Sequence, residues 1–108
     1  LDGIEQMFIP YKDSGKLFLQ FFSKAMLNPH LQEVVSKSYL AELHGIAKIF
    51  DYGNKLGQMC VEDSRNAAYG LLAMVVGLSF FRVANIPPVN GEDNRTICED
   101  YVRRFTAN

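Results

Sequence analysis

The side chains best suited to chemistry are few and scattered. His30 and His44 are the imidazoles of this 108-residue chain, and Cys60 and Cys98 are its thiols. On one helix, the fourteen-residue spacing of the histidines puts them about 21 Å apart along the axis, too far for one metal ion or one catalytic pair. They read as independent, His30 as a solvated first-turn residue and His44 as a boundary residue beside Lys48. The cysteines sit in neither a C-x-x-C nor a zinc-like spacing, and two thiols cannot make a staple framework, so no structural disulfide is expected. No G-x-S-x-G, H-E-x-x-H, phosphate-binding loop or dinucleotide fingerprint occurs, and no acid-base pair stands at a spacing that chemistry would require. The expectation is a non-catalytic chain with no metal site and no cofactor.

What remains is a chain built to bury apolar surface. Hydrophobic residues make up 48% and charged residues 21%, with 8 Phe, 5 Tyr and no Trp, which is enough to offset the ordering entropy of a globular fold. At 12.2 kDa there is material for one core and too little for two. Eleven Lys and Arg against twelve Asp and Glu give a net charge of -1 and a pI near 6.1. That balance argues against a broad electrostatic footprint for nucleic acid or an acidic membrane. The chain opens Leu1-Asp2-Gly3 with no initiator Met, no basic start before an apolar run and no small-residue cleavage signature, so a longer parent is expected and a targeting peptide is not.

Val and Ile recur at three- and four-residue spacings rather than in alternation, which predicts an all-α fold, a five-helix antiparallel bundle. The first helix covers about 3–11, with Ile4, Met7 and Phe8 on one side and Pro10 stopping it. The second follows Asp13 or Ser14 as cap and repeats Leu17, Phe18, Phe21, Phe22, Ala25 and Met26 up to Asn28-Pro29. Asn28 as cap and Pro29 in the first turn then open a third helix over about 29–54. It turns Leu31, Val34, Val35, Tyr39, Leu43, Ile46, Ile49 and Phe50 inward and Gln32, Glu33, Lys37, Glu42 and Lys48 outward. Gly53, Asn54 and Gly57 end it. The fourth begins near Glu62 or Asp63, whose carboxylates suit a helix start, and runs to about Ala84. After the breaker-rich Ile86-Pro87-Pro88-Val89-Asn90-Gly91 loop, Glu92 or Asp93 opens the last helix, with Ile97, Tyr101 and Phe105 on one side and Arg103 and Arg104 near its end.

Two constellations stand out. The fourth helix is apolar all the way round, which means a membrane span or a helix covered on both sides by protein. Its uncharged run of fifteen to sixteen residues between Arg65 and Arg82 falls short of the roughly 20 a span needs, so the covered helix is favoured. Gly70, Ala73, Gly77, Phe81 and Ala84 fall in one narrow arc opposite Leu71, Leu72, Val75, Val76 and Leu78. Such small residues admit another helix at close range. That helix is either a second copy of the chain, closing an isologous four-helix seam with the last helix, or a neighbour within the monomer. The other constellation is Phe18, Phe21, Phe22, Met26, Tyr39, Leu43 and Phe50 on the second and third helices. This is either plain core or the lining of a pocket for a small apolar or amphipathic molecule, with Ser38, Tyr39 and His44 as polar groups.

The order of features resembles the C-terminal regulatory domain of TetR-type bacterial transcriptional repressors, nearest the betaine-pathway regulators, over about 14–105. Phe21-Phe22-Ser23-Lys24-Ala25-Met26-Leu27-Asn28-Pro29-His30-Leu31 is similar to that family's aromatic helix ending in an Asp- or Asn-Pro-x-Leu junction. Gly53 through Gly57-Gln58-Met59 resembles its two-glycine linker before an acidic helix start, here Glu62-Asp63. Ala67-Ala68-x-x-Leu71-Leu72 with Gly77-Leu78 looks like its second-last helix, and Tyr101-Val102-Arg103-Arg104-Phe105 like its last. The resemblance implies one regulatory domain over 1–108 that senses a ligand and forms a two-fold dimer through its last two helices. It also implies a helix-turn-helix DNA-binding head upstream of Leu1, operator DNA as a partner only through that head, a cytoplasmic setting and no membrane. The expected ligand-binding residues are Phe18, Phe22, Met26, Tyr39, Leu43, Met74 and Leu78. Those expected at the dimer interface are Gly70, Ala73, Gly77, Phe81, Ile97, Tyr101 and Phe105. The mechanism is a shift between two conformations driven by differential effector affinity, which alters the separation of the two heads. The alternative is a constitutive helical dimerisation or scaffold module with a filled core and no ligand.

Overall fold

A computed structural model describes residues 15–88 and 93–107, the side chains of residues 15–19 lying outside that description. Four helices follow one another: α1 (Gly15–Met26), α2 (Pro29–Lys55), α3 (Ser64–Val83) and α4 (Asn94–Arg103). The helix expected over 3–11, and the Asp13 or Ser14 cap, lie outside the described residues.

Polar side chains fix the starts of α2, α3 and α4. Asn28 takes an extended conformation, and its Oδ1 accepts from the backbone N–H groups of His30 (3.0 Å) and Leu31 (3.2 Å), with Pro29 in the first turn where no amide partner is needed. Asp63 caps α3 in the same way, accepting from Arg65 (3.1 Å) and Asn66 (3.0 Å). Asp93 caps α4, accepting from both the N–H (2.8 Å) and the hydroxyl (2.9 Å) of Thr96. The stops are equally local. Gly57, at φ +74°, turns the chain after α2, and Asn85, at φ 60°, turns it after α3.

Gly53 and Asn54 do not end α2 but lie inside its last turn. Gly53 is buried because the Met59 side chain folds back over its bare Cα, and the Asn54 carboxamide clips Val61 with two hydrogen bonds of 2.8 and 2.9 Å. The α2–α3 connection also pairs with the tail after α4. Cys60 N–H donates to the Phe105 carbonyl (2.7 Å), Ala107 N–H donates to that of Gln58 (3.0 Å), and Met59 and Thr106 form an isolated antiparallel bridge.

The core joins Leu43, Ile46, Ala47 and Phe50 of α2 to Ala67, Ala68, Leu71, Leu72 and Val75 of α3, with Val61 from the connection and Cys98 from α4. Two side chains expected inward are not: Val34 and Ile49 are 50% and 63% exposed. At 100° per residue, Ile49 sits a full step round from Phe50, off the stripe formed by Tyr39, Leu43, Ile46 and Phe50, and Val34 is further off still. The body measures 43 × 35 × 18 Å, about two helix layers thick, and α3 is the helix that meets all three others.

Candidate functional site

An aromatic nest forms where α1, α2 and α3 meet. Phe22 of α1 stands edge-on to Tyr39 of α2 (ring centroids 6.3 Å apart, planes at 72°) and to Phe80 of α3 (5.6 Å, 81°). Edge-to-face rings of this kind gain from their quadrupoles beyond the area they bury. Tyr39, Met74 and Leu78 are half-buried and pack against the core cluster that contains Leu43. Five expected pocket residues, Phe22, Tyr39, Leu43, Met74 and Leu78, therefore line one continuous apolar region. Met26 is not gathered with them, being 61% exposed in the last turn of α1. The side chain of Phe18 lies outside the described residues.

The polar groups considered for that region, apart from Tyr39, turn away from it. Ser38 is exposed, and so is His44, which accepts from the Arg65 guanidinium at 3.4 Å rather than sitting at a boundary beside Lys48. Phe80 went unnamed in the sequence reading. An all-round apolar helix carries no periodic signal to single out one aromatic.

The second feature is the outer side of α3. Its inner side, Ala67, Ala68, Leu71, Leu72, Val75 and Ser79, is buried, with the Ser79 hydroxyl donating to the Val75 carbonyl (2.7 Å). Its outer side is apolar as well: Tyr69 is 68% and Phe81 52% exposed, Ala73 is exposed, and Gly77 has no atom within 4 Å of where a Cβ would stand. Ala73, Gly77 and Phe81 of the expected arc thus face outward, with Tyr69 as an aromatic that the arc did not include.

At 20 residues, and with a mean hydropathy of 1.4 in its most apolar window, α3 is long and apolar enough to cross a membrane by length and composition. The sequence-based expectation counted only the uncharged run. That run spans about 24 Å between Arg65 and Arg82, against about 30 Å of bilayer core. The inner side of α3 is the centre of the bundle, and one third of the window is buried there.

Residues expected at the seam divide into two groups. Ala73, Gly77 and Phe81 are open on the outer side of α3. Gly70, Tyr101 and Phe105 engage one another or the protomer core. The Tyr101 hydroxyl donates to the Ala67 carbonyl (3.0 Å) and occupies the notch left by the missing side chain of Gly70, where a Cβ would lie 2.5 Å from it. Phe105 packs between Tyr101, edge-on at 5.3 Å, and Phe50 of α2, tilted at 5.8 Å. Ile97 is half-buried on α4.

Burial perturbs two groups here. It raises the Cys98 thiol to about 11, and it raises the Tyr101 phenol above its usual range against a smaller opposing pull from Arg104. Asp93 is lowered, first by the Thr96 backbone N–H and then by the Thr96 hydroxyl. Cys60, exposed, and Cys98, buried, are both free thiols. Among the described residues no three His, Cys, Asp or Glu side chains converge as a metal ion would require.

The profile of a family described as BetI-type transcriptional repressor, C-terminal, matches residues 10–107, nearly the whole chain. The chain belongs to this family of TetR-type regulatory domains. No curated protein matches it, and no solved structure does. Membership makes the chain an all-helical, non-catalytic regulatory domain of transcription, of the kind that typically dimerises and binds small effectors.

Proposed function

We propose that this regulatory domain binds a small apolar or amphipathic inducer in the region lined by Phe22, Tyr39, Leu43, Met74 and Leu78. It dimerises through the outer side of α3 together with α4, and so controls a helix-turn-helix head upstream in a cytoplasmic bacterial repressor. Within the family, our reading sets it nearest the betaine-pathway regulators, and the order of motifs supports that reading. The observation that carries the reading is the exposed apolar side of α3. A soluble protein that presents Tyr69, Ala73, Gly77 and Phe81 on one helix needs a partner surface, and an isologous second copy supplies one. The aromatic nest supports the pocket, since such side chains line most sites for small apolar ligands.

Thermal melting against a metabolite library tests the ligand half. A specific compound at a hundred times its Kd adds about 2.7 kcal/mol of stability. No shift with any compound favours the scaffold reading, for which the outward orientation of Ser38 and His44 speaks.

A further inference from the structure

The contact between Tyr101 and Gly70 does more than bury a ring. It joins the first turns of α3, where Ala67 offers its carbonyl, to the last turn of α4, and the ring contacts of Tyr101 with Phe105 and of Phe105 with Phe50 carry the connection to α2. The backbone after Phe105 is held in turn: its carbonyl accepts from Cys60, and Ala107 donates to Gln58 in the α2–α3 connection. A phenol seated in a glycine notch permits one rotation and one height of α4 against α3, because any side chain at position 70 would occupy the same space.

We infer that Tyr101 is a positioning residue, a latch that sets the register of α4 on α3 and, through Phe105, ties α4 to α2, so that α4 and the outer apolar side of α3 present one fixed surface. The inference rests on the dimeric reading above for its consequence at the seam, and on geometry within the protomer for the latch itself. Its hydroxyl is the adjustable part, since removing it leaves the ring contacts in place but frees α4 to turn.

Y101F tests it in the full chain, with I46V, a core change of comparable cost on α2, as the control. Sedimentation equilibrium reads dimer dissociation, and amide hydrogen exchange reads the Cys60 and Ala107 N–H groups. The latch predicts that Y101F weakens the dimer about tenfold and speeds exchange at both amides by a similar factor, whereas I46V moves neither. Wild-type affinity and exchange in Y101F, or equal effects from I46V, overturn it. If the wild-type chain is itself a monomer, the dimeric reading fails, and the exchange comparison alone decides the latch.

Discussion

Gly70 and Gly77 lie two turns apart on one side of α3, and their surroundings are opposite. At Gly70 the space a Cβ would take is filled by the Tyr101 hydroxyl of the same chain, while at Gly77 nothing lies within 4 Å. Two chemically identical positions therefore differ in their surroundings, one closing the protomer and the other left open between Tyr69 and Phe81. Of the two ideas for a stripe of small residues, close packing within the monomer is met at Gly70, while approach of a second copy at Gly77 is the proposal to be tested.

The sharpest way to break this comparison is a charge at the open glycine. G77E keeps the protomer folded, since the site has room, but buries an unpaired carboxylate in the proposed seam. Dimer dissociation measured by sedimentation should rise by at least about a hundredfold, with the far-ultraviolet helical signal unchanged. Helix content lost along with dimerisation would mean that Gly77 is closed within the protomer. G70A is the mirror experiment. Its methyl meets the Tyr101 hydroxyl, so denaturant titration should show a loss of about 1–3 kcal/mol. A gain, as expected for Gly to Ala in an unobstructed helix, would show that the notch is not needed.

Smaller effects test the environment of α4 at its buried middle and at its N-cap. With its thiol raised to about 11 by burial, Cys98 is thiolate in about one part in a thousand at pH 8, besides being shielded from solvent. A thiol reagent at pH 8 should therefore label Cys60 at once and Cys98 only on unfolding. Fast double labelling would place Cys98 at the surface. Asp93 contributes least. Its carboxyl is lowered below the ordinary 3.8 in the folded state, so the stabilisation it gives is fully present above 3.8 and is lost as pH falls through the lowered value. D93N, which caps without a charge, should lack that acid limb in a melting-temperature profile. A profile identical to wild type would assign the limb to another carboxylate.

Much of this was legible in the chain because it is locally written. Asn28, Asp63 and Asp93 announce helix starts through side-chain oxygens that reach amides two or three residues on, and such signals need no knowledge of the rest of the fold. The inward stripe of α2 was legible wherever its period was clean, at Tyr39, Leu43, Ile46 and Phe50. It was misread at Val34 and Ile49, where residue type suggested burial but a two-layer body had nothing to cover them with. On α3, apolarity all round hid which side faces inward, so that Phe80 was missed while Phe81 was named. The notch at Gly70 could not be read at all, because its partner Tyr101 lies 31 residues downstream and the contact exists only after α4 docks.

The most direct measurement of the central claim is the mass of the untouched chain in solution. On the proposed dimer, in which a second copy covers the outer side of α3, sedimentation equilibrium at micromolar concentration should give twice 12.2 kDa. A mass of 12.2 kDa at that concentration, with Tyr69 and Phe81 left open to water, would contradict it.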